Sequence, residues 1–574
     1  MGPRPRLTVS FARKGENLIL FPFRYLWWLF SSIRRSIGKP PDYVVFVLED
    51  DLPALPDPPR PFWQRFVGRP RLSVRELGER FDAIARDARI KGVVLHLRPV
   101  GMSMARLQDL RELVLNLRAS GKRVVAWATS YTTGTYYLAC ACDEILLMPS
   151  GMVQPLGFAG TGMFLADGLA RLGLSADFVQ VSPYKSAADP LTKSRMTDEY
   201  REQVTWLLES QHGELVRAVA EARRLDDAGA RELIDCSPYG DDVVVEKHVA
   251  DRVLTEEELP AHLGGAMGTW ERAQGKMRVP APTLRRGRYV ALIRIEGTIM
   301  DGRSAHVPIQ PPIEVPLLGE ARAGDLTVVQ VARQVAADKR AAAVVLFVDS
   351  RGGSSTASEA MRYALRVVAS RKPLVVVMGS VAGSGGYDVA TPASWIVARP
   401  GTLTGSIGVL GGKIVTGGLF EKLLLNRETV AFGQHVTMNS DEGRYSDEER
   451  AIVTGEINRL YRGFIDVVAA SRKLPLEEVE PIAQGKVWTG RQALERRLVD
   501  ELGGLDTGLK KARELAGLAP TVPLREARGP RRWLPPPVEP APAMGWIGYV
   551  LEGLTLLNRA PALAVMEYLP GDLT

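Results

Sequence analysis

TGTYY, residues 133–137, and SGGYD, residues 384–388, are two readings of one pattern: Gly134 falls on Gly385 and Tyr136 on Tyr387, an offset of 251 (385 less 134). The same offset carries Val94 onto Val345, Gly101 onto Gly352, Pro149 onto Pro400, Gly157 onto Gly408 and Val179 onto Val430. Self-similarity held in register over this distance signals a duplicated architecture. Further out the offset drifts by a few residues, as loop insertions require: YVVFVLED from Tyr43 resembles YVALIRIEG from Tyr289, and Gly240 resembles Gly490.

Each copy alternates short apolar runs with helix-period segments, VVLHL and VVAWA in the first, VVLFV and VVVMG in the second. Strands covered by helices on both faces read as continuous apolar runs, so the expected class is α/β with largely parallel strands. The chain then divides into an N-terminal segment 1–42, a first unit 43–270, a linker 271–288, a second unit 289–517 and a C-terminal piece 518–574. That last piece holds a Pro-rich spacer, PRRWLPPPVEPAPA, and an apolar stretch from Trp546 to Leu569, which is expected to dock on the core or on a membrane.

At 574 residues the chain exceeds one hydrophobic core, and 45% apolar with 24% charged residues excludes a disordered chain or a multi-span membrane protein. The net charge of +7 is spread without a dense basic block or basic-aromatic interleaving, so it serves solubility and a mild attraction to anionic lipid, and no nucleic-acid partner is expected. Cys140 and Cys142 are expected two apart on one strand, where a mutual disulfide is awkward, and no disulfide is expected. With no HExxH, CxxC or His/Asp/Glu cluster, neither metal nor cofactor is expected.

Asn17 to Ile33 is apolar, with Trp27 and Trp28, and is flanked by Arg13, Lys14, Arg34 and Arg35. At ~1.5 Å per residue it reaches ~25 Å against a hydrocarbon core of ~30 Å. Pro22 and Arg24 interrupt it. The expectation is a helix lying in a membrane interface without crossing it, with the membrane face left open and no cleaved signal peptide.

Around Ser384, VAGSGGYDVA follows the apolar run VVVM and reads as a strand-to-helix turn. Its glycines let the backbone bend and a substrate approach, and a helix N-terminus offers N–H groups and a dipole to developing negative charge. Of the outer positions 382 and 386, Gly386 fits the G-x-S-x-G elbow but Ala382 departs from it, and a turn with an incidental serine fits the residues as well. DSRGGS, residues 349–354, follows the apolar run VVLFV. Two glycines at a strand end can expose N–H groups in the manner of an oxyanion hole, or make an ordinary turn. Of six histidines only His435 lies in the second unit near the Ser384 motif. Lys185, held between Pro183 and Pro190 in FVQVSPYKSAADP, is the other candidate base; lysine serves if burial lowers its pKa from ~10.4 toward ~7 to 8. By residue type alone it reads as a surface lysine.

Taken together, AGSGGYDVATP, GTLTGSIGV, DSRGGS and YKSAADP resemble the long, duplicated bacterial signal peptide peptidases of the SppA type, the protease IV family. The resemblance covers roughly 43–517. It implies tandem ClpP/crotonase-like domains, Ser384 as nucleophile, Lys185 as general base, backbone oxyanion donors at Gly353 and Gly385, and Ser406 orienting the lysine. It also implies a serine protease without cofactor, acting on hydrophobic peptides such as signal-peptide remnants at the bacterial inner membrane, as a homotetramer. The repeat agrees with that division of labour: at the 251 offset Ser384 falls on Thr133 and Lys185 on Val436, so each half keeps one group. Arg351 stands where the family usually has proline. Two other readings remain at this point, a crotonase-type acyl-CoA hydratase or isomerase, which requires a Glu or Asp at the groove, and a non-catalytic membrane scaffold.

Overall fold

The computed structural model describes residues 23, 25–30, 38–49, 51–57, 71–277, 287–305, 321–529 and 563–565. Tyr43–Leu48, Gly92–Leu97, Arg123–Ala128 and Glu144–Leu147 pair side by side, all parallel. Arg252–Val253 and Met267–Thr269 complete the two edges. Every residue of Gly92–Leu97 is buried, as expected of an apolar run with cover on both faces. Part of that cover is the helix Val74–Arg86. Ser73 and Glu76 start it with a capping box, each side chain satisfying the other's N–H, and Leu77, Phe81 and Ile84 go into the core.

The second half repeats this plan. Tyr289–Glu296, Ala341–Ser350, Leu374–Gly383 and Trp395–Ala398 pair parallel in the same order, and Leu524–Glu526 adds at the edge. The molecule is therefore α/β with two duplicated regions. The offset of 251 holds for Glu144–Leu147 and Trp395–Ala398. It has become 249 (447 less 198) by the 26-residue helices Asp198–Arg223 and Asp447–Arg472, each closed by a left-handed residue, Arg224 at φ 56° and Lys473 at φ 54°. The alignment of Val179 with Val430 is thus corrected: Val179 lies in the strand Ser175–Gln180, whereas Val430 is on an exposed loop.

The halves interlock. Leu55 is buried in the second core, while Trp270, Ala273 and Met277 pack into the first. A third sheet crosses the seam in the order Arg322–Gly324, Thr298–Met300, Gly352–Ser354, Leu563–Val565, Leu410–Val415, Ser175–Gln180. Its last strand comes from the first half and pairs antiparallel with Leu410–Val415 over six residues.

Cys140 caps the helix Thr133–Ala139 and Cys142 follows in the turn, so the two do not share a strand as expected; Cys140, Cys142 and Cys236 are free thiols. Of the apolar N-terminal stretch, Phe23 and Tyr25 to Phe30 are helical. Among the described residues no helix is long and apolar enough to cross a membrane. Residues 279–286 of the linker and the Pro-rich spacer lie outside the described residues.

Candidate active site

The buried strand Leu374–Gly383 ends at Ser384, whose backbone sits at φ 55°, ψ −116°. A side chain makes that region costly, by roughly 1–3 kcal/mol, and it is held only where the surroundings fix it. Here Ser384 N–H donates to the Gly405 carbonyl at 2.8 Å, and the Tyr387 and Asp388 N–H groups both donate to the Ser384 carbonyl at 2.9 Å. The helix that follows, Gly385–Asp388, is a single turn. The expected macrodipole is therefore corrected to the local N–H groups of Gly385 and Gly386, which a helix start leaves without intrahelical partners. Gly386 must be glycine, since a Cβ would stand 2.5 Å from the Ser350 carbonyl oxygen.

Lys185 arrives from the other half. The strand Ser175–Gln180 runs along Leu410–Val415, Val181 N–H continues the pairing to the Val409 carbonyl at 3.1 Å, and Lys185 then opens a short helical turn, Ser186–Ala188. Its side-chain nitrogen lies 2.8 Å from Ser384 Oγ, 2.9 Å from Ser406 Oγ and 3.0 Å from the Ser406 carbonyl oxygen. Ser384 and Lys185 are 0% and 1% exposed, so this contact is shut off from bulk water. Ser384 Oγ also lies 3.3 Å from the Gly408 carbonyl oxygen. The first half retains the matching contact, Thr133 Oγ1 to the Gly157 carbonyl at 3.2 Å, at the same offset of 251 for donor and acceptor. Val436 is 61% exposed, and the offset of 249 instead puts Gln434 opposite Lys185, so neither register supplies a second lysine.

Gly353 lies on the short buried strand Gly352–Ser354, at φ 153°, and a Cβ there would meet the Ile299 carbonyl oxygen at 1.9 Å. Only glycine lets these two backbones pack together. Of the histidines, His435 sits 3.8 Å from Glu448 rather than at Ser384, His96 stacks edge-on against Trp127, and His306 is outside the described residues. No group of three metal-binding side chains occurs among the described residues.

The sequence matches Peptidase family S49 over residues 116–264 and 366–519, one segment in each half. The chain belongs to peptidase family S49. It is 32% identical over 452 residues to Protease 4 of Salmonella typhi, covering 75% of this chain and 70% of that protein. It is 29% identical over 458 residues to Serine protease SPPA, chloroplastic, of Arabidopsis thaliana, covering 78% of this chain and 66% of that protein's length. A solved ClpP1 mutant from Listeria monocytogenes aligns with 38% of this chain and 94% of its own at 13% identity and a TM-score of 0.24. As an S49 member the chain is a serine protease, and the acyl-CoA hydratase and scaffold readings are set aside.

Several residues that hold this S49 site together gave no sign in the sequence, because their partners are 200 to 300 positions away. Gly485, at φ 81°, packs so closely on the Lys185 backbone that a Cβ would be 2.6 Å from the lysine Cβ. Gln203 accepts from Val487 N–H at 2.9 Å, and the Trp206 indole donates to the Val487 carbonyl at 2.9 Å. Arg106 of the first half pairs with Asp349 of DSRGGS at 3.1 Å, and Arg399 of the second half with Asp109 at 2.7 Å. Burial pushes the Asp349 carboxyl up, and the Arg106 guanidinium opposes that.

Asp388, one turn after Ser384, is pushed up to about 6 by burial, with Arg362 at 3.1 Å pulling the other way. A carboxyl raised above its ordinary 3.8 favours the fold fully below that pH and loses that contribution as pH rises through about 6. The loss is on the order of 3 kcal/mol. Thermal melts of the intact protein from pH 4 to 7 should show this decline, and Asp388→Asn should flatten it.

Proposed function

We propose that this S49 protease cleaves peptide bonds through a covalent ester on Ser384, with Lys185 as general base and the Gly353 and Gly385 N–H groups as oxyanion donors. The 2.8 Å contact between the Lys185 nitrogen and Ser384 Oγ, made across the seam and closed to water, carries this reading. A neutral amine has two N–H bonds and one lone pair. The N–H groups suit the two Ser406 oxygens, which leaves the lone pair for the Ser384 hydroxyl. Removal from water, at 1% exposure, opposes the ammonium and favours that neutral form.

As Ser384 Oγ attacks the scissile carbonyl carbon, its proton passes to Lys185, and the carbonyl oxygen takes the negative charge toward the two N–H groups. The tetrahedral species collapses, the C–N bond breaks, and the lysine proton goes to the leaving amine. Lys185 then takes a proton from water as the water oxygen attacks the ester carbonyl, and when the C–Oγ bond breaks that proton returns to Ser384 Oγ, releasing the acid. A fluorophosphonate probe should form one adduct, located on Ser384 by peptide mass spectrometry. Peptide cleavage by a protein that is never labelled there would overturn the assignment.

The same reading takes each half as a ClpP/crotonase-like unit, supported by the parallel strand order and the Gly-rich strand ends. The substrates are hydrophobic peptides such as signal-peptide remnants, and the active assembly is a homotetramer at the bacterial inner membrane. Membrane contact is supported by Phe23, Leu26, Trp27 and Phe30, which are 61% or more exposed on one short helical piece. An interfacial helix with ~25 Å of reach should release much of the full-length protein in an alkaline carbonate wash, whereas complete retention in the membrane pellet would mean a span.

A further inference from the structure

The strand that delivers Ser384 is one residue longer than its counterpart in the first half. Leu97 faces Ala128 there and Val348 faces Met378 here, at offsets of 251 (348 less 97) and 250 (378 less 128). At Thr133 and Ser384 the offset is again 251 (384 less 133), so one residue has been added between Met378 and the nucleophile. The parallel pairing shows where it went. It resumes only at Ser350 and Ala382, which leaves Gly379, Ser380 and Val381 opposite the single residue Asp349. Such a bulge bends its strand and re-aims the side chains that follow, and one residue of slip moves them by ~3.3 Å and to the other face.

A bulge breaks the ladder, and here side chains take up the freed backbone groups. Asp349 Oδ1 accepts from Val381 N–H at 3.0 Å, and Thr402 Oγ1 donates to the Gly379 carbonyl at 2.7 Å. A Cβ on residue 379 would stand 2.6 Å from Asp349 Cγ, so glycine lets the carboxylate lie against the bulge. The first half supplies the rest. Buried Arg106 donates to Asp349 Oδ2 at 3.1 Å, and Ser103, which caps the same helix Met104–Ala119, meets Ser380 with the two Oγ atoms 2.7 Å apart. At the place of Asp349 the first half has Arg98 (349 less 251), which is exposed, so it carries no matching carboxylate. Resting on the peptidase reading, we propose that Asp349 is a positioning residue for the nucleophile, held across the seam by Arg106 so that the bulge presents Ser384 Oγ to the Lys185 amine. The halves thus meet at the site twice, once through the base and once through the aim of the nucleophile.

Two double variants differ only in the acceptor offered to Val381 N–H. Arg106→Met with Asp349→Asn keeps a side-chain carbonyl oxygen there, and Arg106→Met with Asp349→Leu has none. Neither leaves an unpaired charge at the seam, since Asp109 retains Arg399 at 2.7 Å. The rate constant for fluorophosphonate labelling of Ser384, separated from the fraction labelled at the end point, reads reactivity apart from the amount of folded protein. It should fall by about a hundredfold in the leucine variant, the cost of a misplacement of ~1 Å, and stay within about tenfold of wild type in the asparagine variant. With a peptide substrate the same loss should appear in kcat and not in KM. Asp349→Ala is a second deletion of the acceptor and should match the leucine variant. Arg491→Met is the control: it removes a cross-seam ion pair with Glu214 at 2.5 Å in which no residue of the bulge takes part, and it should label at the wild-type rate. Equal rate constants in the asparagine and leucine variants, or a wild-type rate constant in Asp349→Ala, would overturn the proposal.

Hydrogen exchange separates this proposal from the peptidase reading. Protection of the Val381 amide, read by exchange mass spectrometry on residues 379–384, reports the clamp without any chemistry. It should drop by about tenfold or more in the leucine variant and persist in the asparagine variant. That outcome would uphold the clamp on the bulge even if Ser384 were never labelled, a result that would overturn the peptidase reading alone. Equal protection in the two variants would refute the clamp even if hydrolysis proceeded normally.

Discussion

Ser384→Ala is expected to lower kcat for a hydrophobic peptide substrate by about four to six orders of magnitude, or about 5 to 8 kcal/mol of transition-state stabilisation. The hydroxyl is the only group removed, and among the described residues no neighbouring serine is in contact with both Lys185 and the Gly408 carbonyl as Ser384 is. Alanine inherits the strained φ of 55°, so the turn and its three backbone hydrogen bonds should persist. Ser384→Gly supplies the control that separates strain from chemistry. Glycine is at ease at positive φ, so this variant should be as inactive as the alanine variant yet more stable than it by about 1 kcal/mol. Turnover assays paired with thermal melts check both halves of the statement, and turnover above about one percent of wild type in either variant would remove Ser384 from the nucleophile's role.

The duplicated α/β plan was legible because its signal is local and periodic: VVLHL and VVLFV are the strands Gly92–Leu97 and Ala341–Ser350, and the Ser384 turn lies at the predicted strand end. What stayed illegible was long-range pairing. Arg106 finds Asp349 across 243 positions and Gln203 finds Val487 across 284, and a single sequence carries no mark of such contacts. The register beyond Gly157 failed for a related reason. Two residues are gained or lost between there and the long helices, and hydrophobic identity such as that of Val179 and Val430 cannot reveal a slip in a loop. The cysteines were misplaced because CAC follows an apolar stretch and reads like strand, whereas Tyr136 and Leu138 are helical residues of Thr133–Ala139, all buried. The three-residue strand Leu563–Val565 is too short for any periodicity to register.

Lys185→Arg should be as inactive as Lys185→Ala, although it keeps a long basic side chain. A guanidinium stays protonated throughout the accessible pH range and has no lone pair to take the Ser384 proton. Its planar fork also does not fit the seat of a single nitrogen with 2.8 to 3.0 Å contacts to Ser384 Oγ and both Ser406 oxygens, in a residue only 1% exposed. If the neutral amine is the working form, wild-type kcat/KM should rise with pH along one ionisation, because acid fills the lone pair. Ser406→Ala should displace that ionisation rather than remove activity outright, since it deletes one of the amine's N–H acceptors and leaves the lone pair in place. The geometry also makes the two halves interdependent. Lys185 reaches Ser384 only because Ser175–Gln180 is paired with Leu410–Val415 and the backbone at Lys185 is packed against Gly485. Cutting the intact chain within 279–286 should therefore preserve activity while the halves stay associated, and a denaturant concentration that separates them should abolish both turnover and fluorophosphonate labelling together. Labelling of Ser384 at the wild-type rate in Lys185→Arg would show that the lysine is not the base, whatever its distance.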